Sequence, residues 1–191
     1  MALAAALFLS TGCQRDEITH FRADKAPQTT AVRTVSPAMV REEVASPPPA
    51  ATGSLKWTLP RGWTDSPGSG MRYATLKPPI AGRIDVSVIV LPGPAGGELA
   101  NVNRWRGQIG LGPIDENALA AARKPLKAKA GTISVYDFSS EGDAKTRIVA
   151  GLAVVDGNTW FVKMLGDASA VHAARSDFTR LLQSLRRDSS N

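Results

Sequence analysis

Apolar and polar positions alternate along Ile84-Asp85-Val86-Ser87-Val88, and the run then turns continuously apolar through Ile89, Val90 and Leu91. That pattern predicts a strand over 84–91 that enters a core with two buried sides. Comparable runs predict strands over 56–59, 71–77, 132–139, 147–155 and 159–165. Asp156-Gly157-Asn158 separates the last two and signals a hairpin, because these residue types accept positive φ. A period near 3.6 replaces the alternation at Val171, Ala174, Phe178, Leu181, Leu182 and Leu185, which predicts a helix over 168–186 with Asp167 as its N-cap. A second helix is predicted over 97–109, where Val102, Trp105 and Ile109 share an apolar face with Leu99 near it. A shorter one over 115–123 has Asp115 as cap and Pro125 as stop. The order β-β-β-α-α-β-β-β-α predicts an α+β domain in which an antiparallel or mixed sheet carries helices packed on it.

Before residue 55 the pattern is different. Residues 1–12 carry no charge, and the apolar run Ala2 to Leu9 leads into Ser10-Thr11-Gly12-Cys13. This looks like a signal peptide ending in a bacterial lipobox, in which small residues precede a cysteine that takes a diacylglycerol. Leu9 stands four residues before Cys13 where that motif has three, and no Lys or Arg precedes the apolar run. The run is far shorter than the ~20 residues that span a bilayer. A short buried helix with a core cysteine is the other reading. Residues 14–54 are rich in Pro, Ala, Thr and Ser, with Phe21 as their one aromatic, and their charges cancel. Such a segment buries too little apolar surface to offset its ordering entropy, so it is expected to be a disordered tether. The expected organisation is a signal peptide and lipobox over 1–13, the tether over 14–54, one α+β domain over 55–187 and a disordered tail over 188–191.

Composition narrows the chemistry. The single Cys allows no internal disulfide and no thiolate cluster, and the two His, His20 and His172, have no evident catalytic partners. No metal site and no cofactor are expected. All four Trp lie between residues 57 and 160. Positions 55–187 hold 18 basic and 11 acidic residues, so the whole positive surplus belongs to the predicted domain. Arg123, Lys124, Lys127 and Lys129 fall in what reads as one loop, either a solvated face or a contact for an anionic surface. Export and the absence of interleaved aromatics argue against nucleic acid.

Three strings carry a resemblance: Gly70-Met71-Arg72-Tyr73-Ala74-Thr75, the long stretch from Leu91-Pro92-Gly93 through Ala95-Gly96-Gly97-Glu98-Leu99-Ala100-Asn101-Val102-Asn103-Arg104-Trp105-Arg106-Gly107-Gln108 to Leu111, and Thr159-Trp160-Phe161-Val162-Lys163-Met164. They resemble a family of bacterial secreted and lipoprotein-like proteins of planctomycete and verrucomicrobial type. The pattern from Trp57-Thr58-Leu59-Pro60-Arg61-Gly62-Trp63 to the last helix also resembles the PsbP-type α/β sandwich. The resemblance implies a fold and an exported location, with no activity to carry over.

Two constellations are candidate binding sites. In the first, a strand passes through Gly96 and Gly97 into a helix whose bare amides offer an anion site. Asn101, Arg104 and Gln108 follow at i, i+3 and i+7 on one helical face, with Asn103 beside them. Such a stripe suits a carboxylate, a phosphate or a sugar hydroxyl. Lys and Ser/Thr are absent from the phosphate-loop positions, and Glu98 opposes an anion at the first turn, so a plain turn with a solvated stripe stays open beside it. In the second, Trp63, Arg72 and Tyr73 come together if the 60–63 turn folds over the next strand, although tryptophans in a domain this small more often pack inside. Glu141 with Asp143, or Asp115 with Glu116, could in principle serve as an acid/base pair.

The reading is a non-enzymatic cell-envelope protein, lipid-anchored through Cys13 on the periplasmic side or secreted. It is expected to act as a monomer with an accessory or binding role toward an envelope protein or an anionic or glycan ligand. A hydrolase or transferase acting on envelope carbohydrate, and a protein-interaction module, are the alternatives.

Overall fold

The computed structural model describes residues 55–143 and 145–188. The expected signal peptide and lipobox with Cys13, the expected tether and residues 189–191 lie outside the described residues.

Seven antiparallel strands form the main sheet. In chain order β1 (Leu55–Lys56) is followed by β2 (Thr64–Pro67), β3 (Arg72–Lys77) and β4 (Ile84–Pro92). Two helices come next, α1 (Glu98–Gln108) and α2 (Glu116–Ala122), then β5 (Lys124–Ala128), β6 (Gly131–Ser139), β7 (Thr146–Val155) and β8 (Asn158–Asp167). The chain ends with α3 (Ala168–Ser184) and β9 (Arg186–Arg187). The sheet order is β2-β3-β4-β8-β7-β6-β5, and β1 pairs separately with β9. This is the α+β class with an antiparallel sheet that the patterning predicts.

The central strands are buried on both faces, which explains their nearly unbroken apolar sequences. Val149 and Ala153 of β7 join Val86, Val88, Val162 and Met164 in a core under α3, which contributes Val171, Ala174, Phe178, Leu181 and Leu182. Ile148, Ala150 and Leu152 face the other way, into a second core with Phe161 and Tyr136. There Val102, Trp105 and Ile109 of α1 and Leu119 of α2 close the layer. The sheet is therefore sandwiched between α3 on one face and α1 with α2 on the other. Asp156 and Gly157 both take positive φ, 50° and 74°, and connect β7 to β8 in the two-residue hairpin expected there.

Several boundaries differ from the sequence reading. Both edges of the sheet were missed: Thr64-Asp65-Ser66-Pro67 of β2 is exposed throughout, and Lys124-Pro125-Leu126-Lys127-Ala128 of β5 is strongly basic. Edge strands need no buried alternation, and Lys and Pro there deter pairing with other chains. The basic cluster is thus not one loop: Arg123 leaves α2, and Lys124 and Lys127 stand on β5. The strand expected over 56–59 pairs only at Leu55 and Lys56, with Arg187 and Arg186. The last helix stops at Ser184 rather than 186, because Leu185 leaves the helical region and its carbonyl accepts from Ala130 N–H at 2.8 Å. Asp115 caps α2 by accepting from Ala118 N–H at 2.8 Å. Asp167 stands at the N-cap of α3 but spends its carboxylate on Arg83, binding its backbone N–H at 2.9 Å and its guanidinium.

Candidate functional site

Local geometry at the start of α1 follows from its glycines. Gly97 holds the N-cap with φ 84°, and Gly96 before it has φ 82°, a region closed to most side chains. The Gly97 N–H donates to Pro94 O at 2.9 Å. Asn101, buried one turn into the helix, donates through Nδ2 to Ala95 O at 2.9 Å and Gly97 O at 2.7 Å. Its Oδ1 accepts from Arg104 Nη1 at 2.8 Å, which aims the guanidinium along the helix face. Asn101 thus braces the turn and positions Arg104.

The first turn of α1 already carries a carboxylate. Glu98 accepts from Tyr136 O–H at 2.5 Å and from Arg123 Nη2 at 2.6 Å, tying α1 to β6 and to the end of α2. Burial alone would raise the Glu98 pKa, but the bonds from Tyr136 and Arg123 outweigh it and hold the carboxyl below its usual range. The Tyr136 hydroxyl is pushed up to about 12, first by burial and then by Glu98. Asn103 makes two bonds with Ile114: its Nδ2 donates to Ile114 O at 3.0 Å and its Oδ1 accepts from Ile114 N–H at 2.8 Å, fastening the loop after α1.

Further along the helix the polar stripe faces a cleft. Arg104 and Gln108 line it together with Asn101 and Trp105 from α1, Ile89 and Leu91 from β4, Phe161 and Lys163 from β8, and Met71 at its mouth, around a cavity of about 120 Å³. Lys163 donates to Gln108 Oε1 at 2.9 Å, bridging sheet and helix. Burial lowers the pKa of this lysine; Asp85 partly offsets that and Arg72 adds to it. Arg72 lies on the same side of the sheet, bound to Asp85 through both guanidinium nitrogens at 2.9 and 2.8 Å. Beside Lys163, in register across β4 and β8, Ser87 is 1% exposed and its hydroxyl has no hydrogen-bond partner among the described residues. A hollow of about 530 Å³ continues past Gln108 along Asp85, Leu165 and Gly166.

The structure thus brings Asn101, Arg104 and Gln108 to one cleft and sets Arg72 beside it through Asp85. Gly96, Gly97 and Asn103 shape the helix entry and exit. Trp63 is placed elsewhere: it is 5% exposed, packed in the core under α3, and its indole N–H lacks a hydrogen-bond partner there. Tyr73 packs edge-on against Trp57 and Trp160, at 6.1 and 5.2 Å between ring centres. Sequence reasoning missed Lys163, Asp85 and Ser87. The signal was there: Lys163 is the one charge in the run from Trp160 to Leu165, and Asp85 and Ser87 are the polar half of the alternation in β4.

Two cations on one small cavity can hold an anion. Arg104 and Lys163 form no ion pair among the described residues, whereas Arg72, Arg83, Arg123, Arg147 and Arg175 each have a carboxylate. Carboxylates for acid/base work are not gathered here. Asp115 caps α2, Glu116 is exposed, and Glu141 and Asp143 sit exposed in the bend after β6. Ser87 is sealed from solvent and so is not placed to attack a bound ester. Among the described residues no group of three His, Cys, Asp or Glu side chains gathers for a metal, and no helix is long and apolar enough to cross a membrane.

No protein-family model matches the chain, and no curated protein sequence matches it. Solved structures overlap with its fold in part, among them these three. A protein of Bacteroides thetaiotaomicron VPI-5482 aligns at 6% identity and a TM-score of 0.43 over 71% of this chain; the match spans 46%, about half, of that longer protein. The cyanobacterial PsbP (CyanoP) of Synechocystis sp. PCC 6803 aligns at 14% identity and 0.45, covering 76% of this chain and 99% of that one. LpqN of Mycobacterium tuberculosis, described as involved in cell envelope biogenesis, aligns at 11% identity and 0.44, covering 72% and 86%.

Proposed function

We propose that this is a non-enzymatic accessory protein of the cell envelope that binds an anionic ligand in the cleft between α1 and strands β4 and β8. The observation that carries the reading is that Arg104 and Lys163 line one cavity, neither in an ion pair among the described residues, with Asp85 only partly offsetting the burial of the lysine. Arg104 is exposed and Lys163 is half-buried, and an anion held by both would offset the desolvation of the lysine. Asn101 and Gln108 orient the two cations, so the site is organised before a ligand arrives.

Titration of the full chain with acetate and with inorganic phosphate, followed by calorimetry at low and high salt, tests the site. Saturable binding that weakens with salt and falls at least ten-fold in both Arg104→Ala and Lys163→Met is the expected result. Binding that ignores both substitutions would remove the assignment. The envelope location rests on Cys13 as a lipid anchor. The chain expressed in a bacterial host should take up a labelled fatty acid and fractionate with membranes, and Cys13→Ser should abolish both. Equal labelling of Cys13→Ser would overturn the anchor.

A further inference from the structure

The cleft wall is mixed. Asn101, Arg104, Gln108 and Lys163 are its polar part, and half-buried Ile89 and Leu91 with Trp105 and Phe161 are its apolar part. Met71 stands at the mouth 68% exposed, one of three large apolar side chains left in solvent among the described residues. A second, Val154, lies beyond Thr159 in the cross-strand row of Leu91, but Thr159 is buried and bonded to Gly93 O, so the apolar part of the cleft ends at Leu91. A small hydrated anion makes no use of that apolar part, and a ligand with an apolar body uses both parts of the wall.

Resting on the reading of the cleft as an anion site, we infer that its ligand is a single-chain amphiphile: an acyl chain ending in one carboxylate. The head group sits at Arg104 and Lys163, and the chain leaves past Leu91 and Met71. The cavity, at about 120 Å³, is small beside the ~300–1,000 Å³ of ordinary ligand pockets, which suits one chain rather than two. One anionic group suffices, since Arg72 is already satisfied by Asp85. Apolar burial is worth about 0.8 kcal/mol per methylene, which is about four-fold in affinity for each added carbon until the chain outgrows the walls.

The test is a calorimetric series on the full chain with acetate, butanoate, hexanoate and octanoate, with octanol as the uncharged match and anionic phospholipid vesicles as the bilayer form of the same chemistry. Affinity is expected to climb about four-fold per methylene and then level off. Octanol should bind at least ten-fold more weakly than octanoate. Met71→Gln, on an exposed side chain, should flatten the climb, and Arg104→Ala should erase the preference for octanoate over octanol. Equal binding of acetate and octanoate would overturn the amphiphile and leave the anion site standing. Octanol binding as well as octanoate, or no binding by any member, would overturn both. Vesicle binding that is Arg104-dependent and tighter than octanoate would assign the cleft to a bilayer head group and overturn the single-chain ligand.

Discussion

Asp137 illustrates how this chain spends its charged residues. Its carboxylate accepts from Arg147 at 2.8 and 2.7 Å and from Arg175 at 3.0 Å, joining β6, β7 and α3. Burial would raise the Asp137 pKa, but Arg147 and then Arg175 outweigh it and hold the carboxyl low. A carboxylate whose folded pKa is depressed contributes stability above its unfolded value, about 3.9, and loses it as pH falls through the folded value. Asp137→Asn leaves the mostly buried Arg147 without its anion and should cost about 3 kcal/mol at pH 7. Denaturant unfolding at pH 7 and at pH 3 checks this: the gap between variant and parent should narrow in acid, and a gap independent of pH would remove the ion-pair account. Such residues were illegible in the sequence because their partners lie ten and thirty-eight positions away. Asn101 was legible as a polar residue on a helix, but its burial was not, since only the carbonyls of the Ala95–Gly97 turn make a buried amide tolerable there.

At the scale of elements, periodicity located every helix and every central strand, because each of these must bury an apolar face. It failed at β2 and β5, where one edge of the strand pairs with no other strand among the described residues, and at the last turn of α3, which ends by a long-range bond to Ala130 rather than at a Gly or Pro. The packing of α3 on the sheet was also hidden. A Cβ added at Gly151 in β7 would stand 2.9 Å from Leu182 Cδ2 and 3.1 Å from Ile133 Cγ2, so the missing side chain is what lets the helix settle against the strand. Leu182 is itself buried and has little freedom to yield. Gly151→Val should therefore destabilise by about 2–3 kcal/mol despite valine's preference for strands, measured by urea unfolding. A neutral result would show that α3 can lift without loss. The cleft on the opposite face was half legible. Its helical wall came from spacing at 101, 104 and 108, whereas its sheet wall needed the register that sets Ser87 beside Lys163.

The whole molecule is a sheet with unlike faces. One is covered by α3, and among the described residues the other is only partly covered by α1 and α2, so Met71, Leu91, Asp85 and Lys163 keep some solvent exposure. Fold class followed from element order alone. The site did not, since a cleft is a property of where a short helix stops across a wide sheet. The pairing of β1 with β9 has a consequence of a different kind. Leu55 stands opposite Arg187, so the two ends of the described stretch lie side by side. Joining them by a short linker and reopening the chain at an exposed turn is expected to keep the sheet and its helices, and neighbouring ends likewise suit insertion of residues 55–187 into a surface loop of another protein.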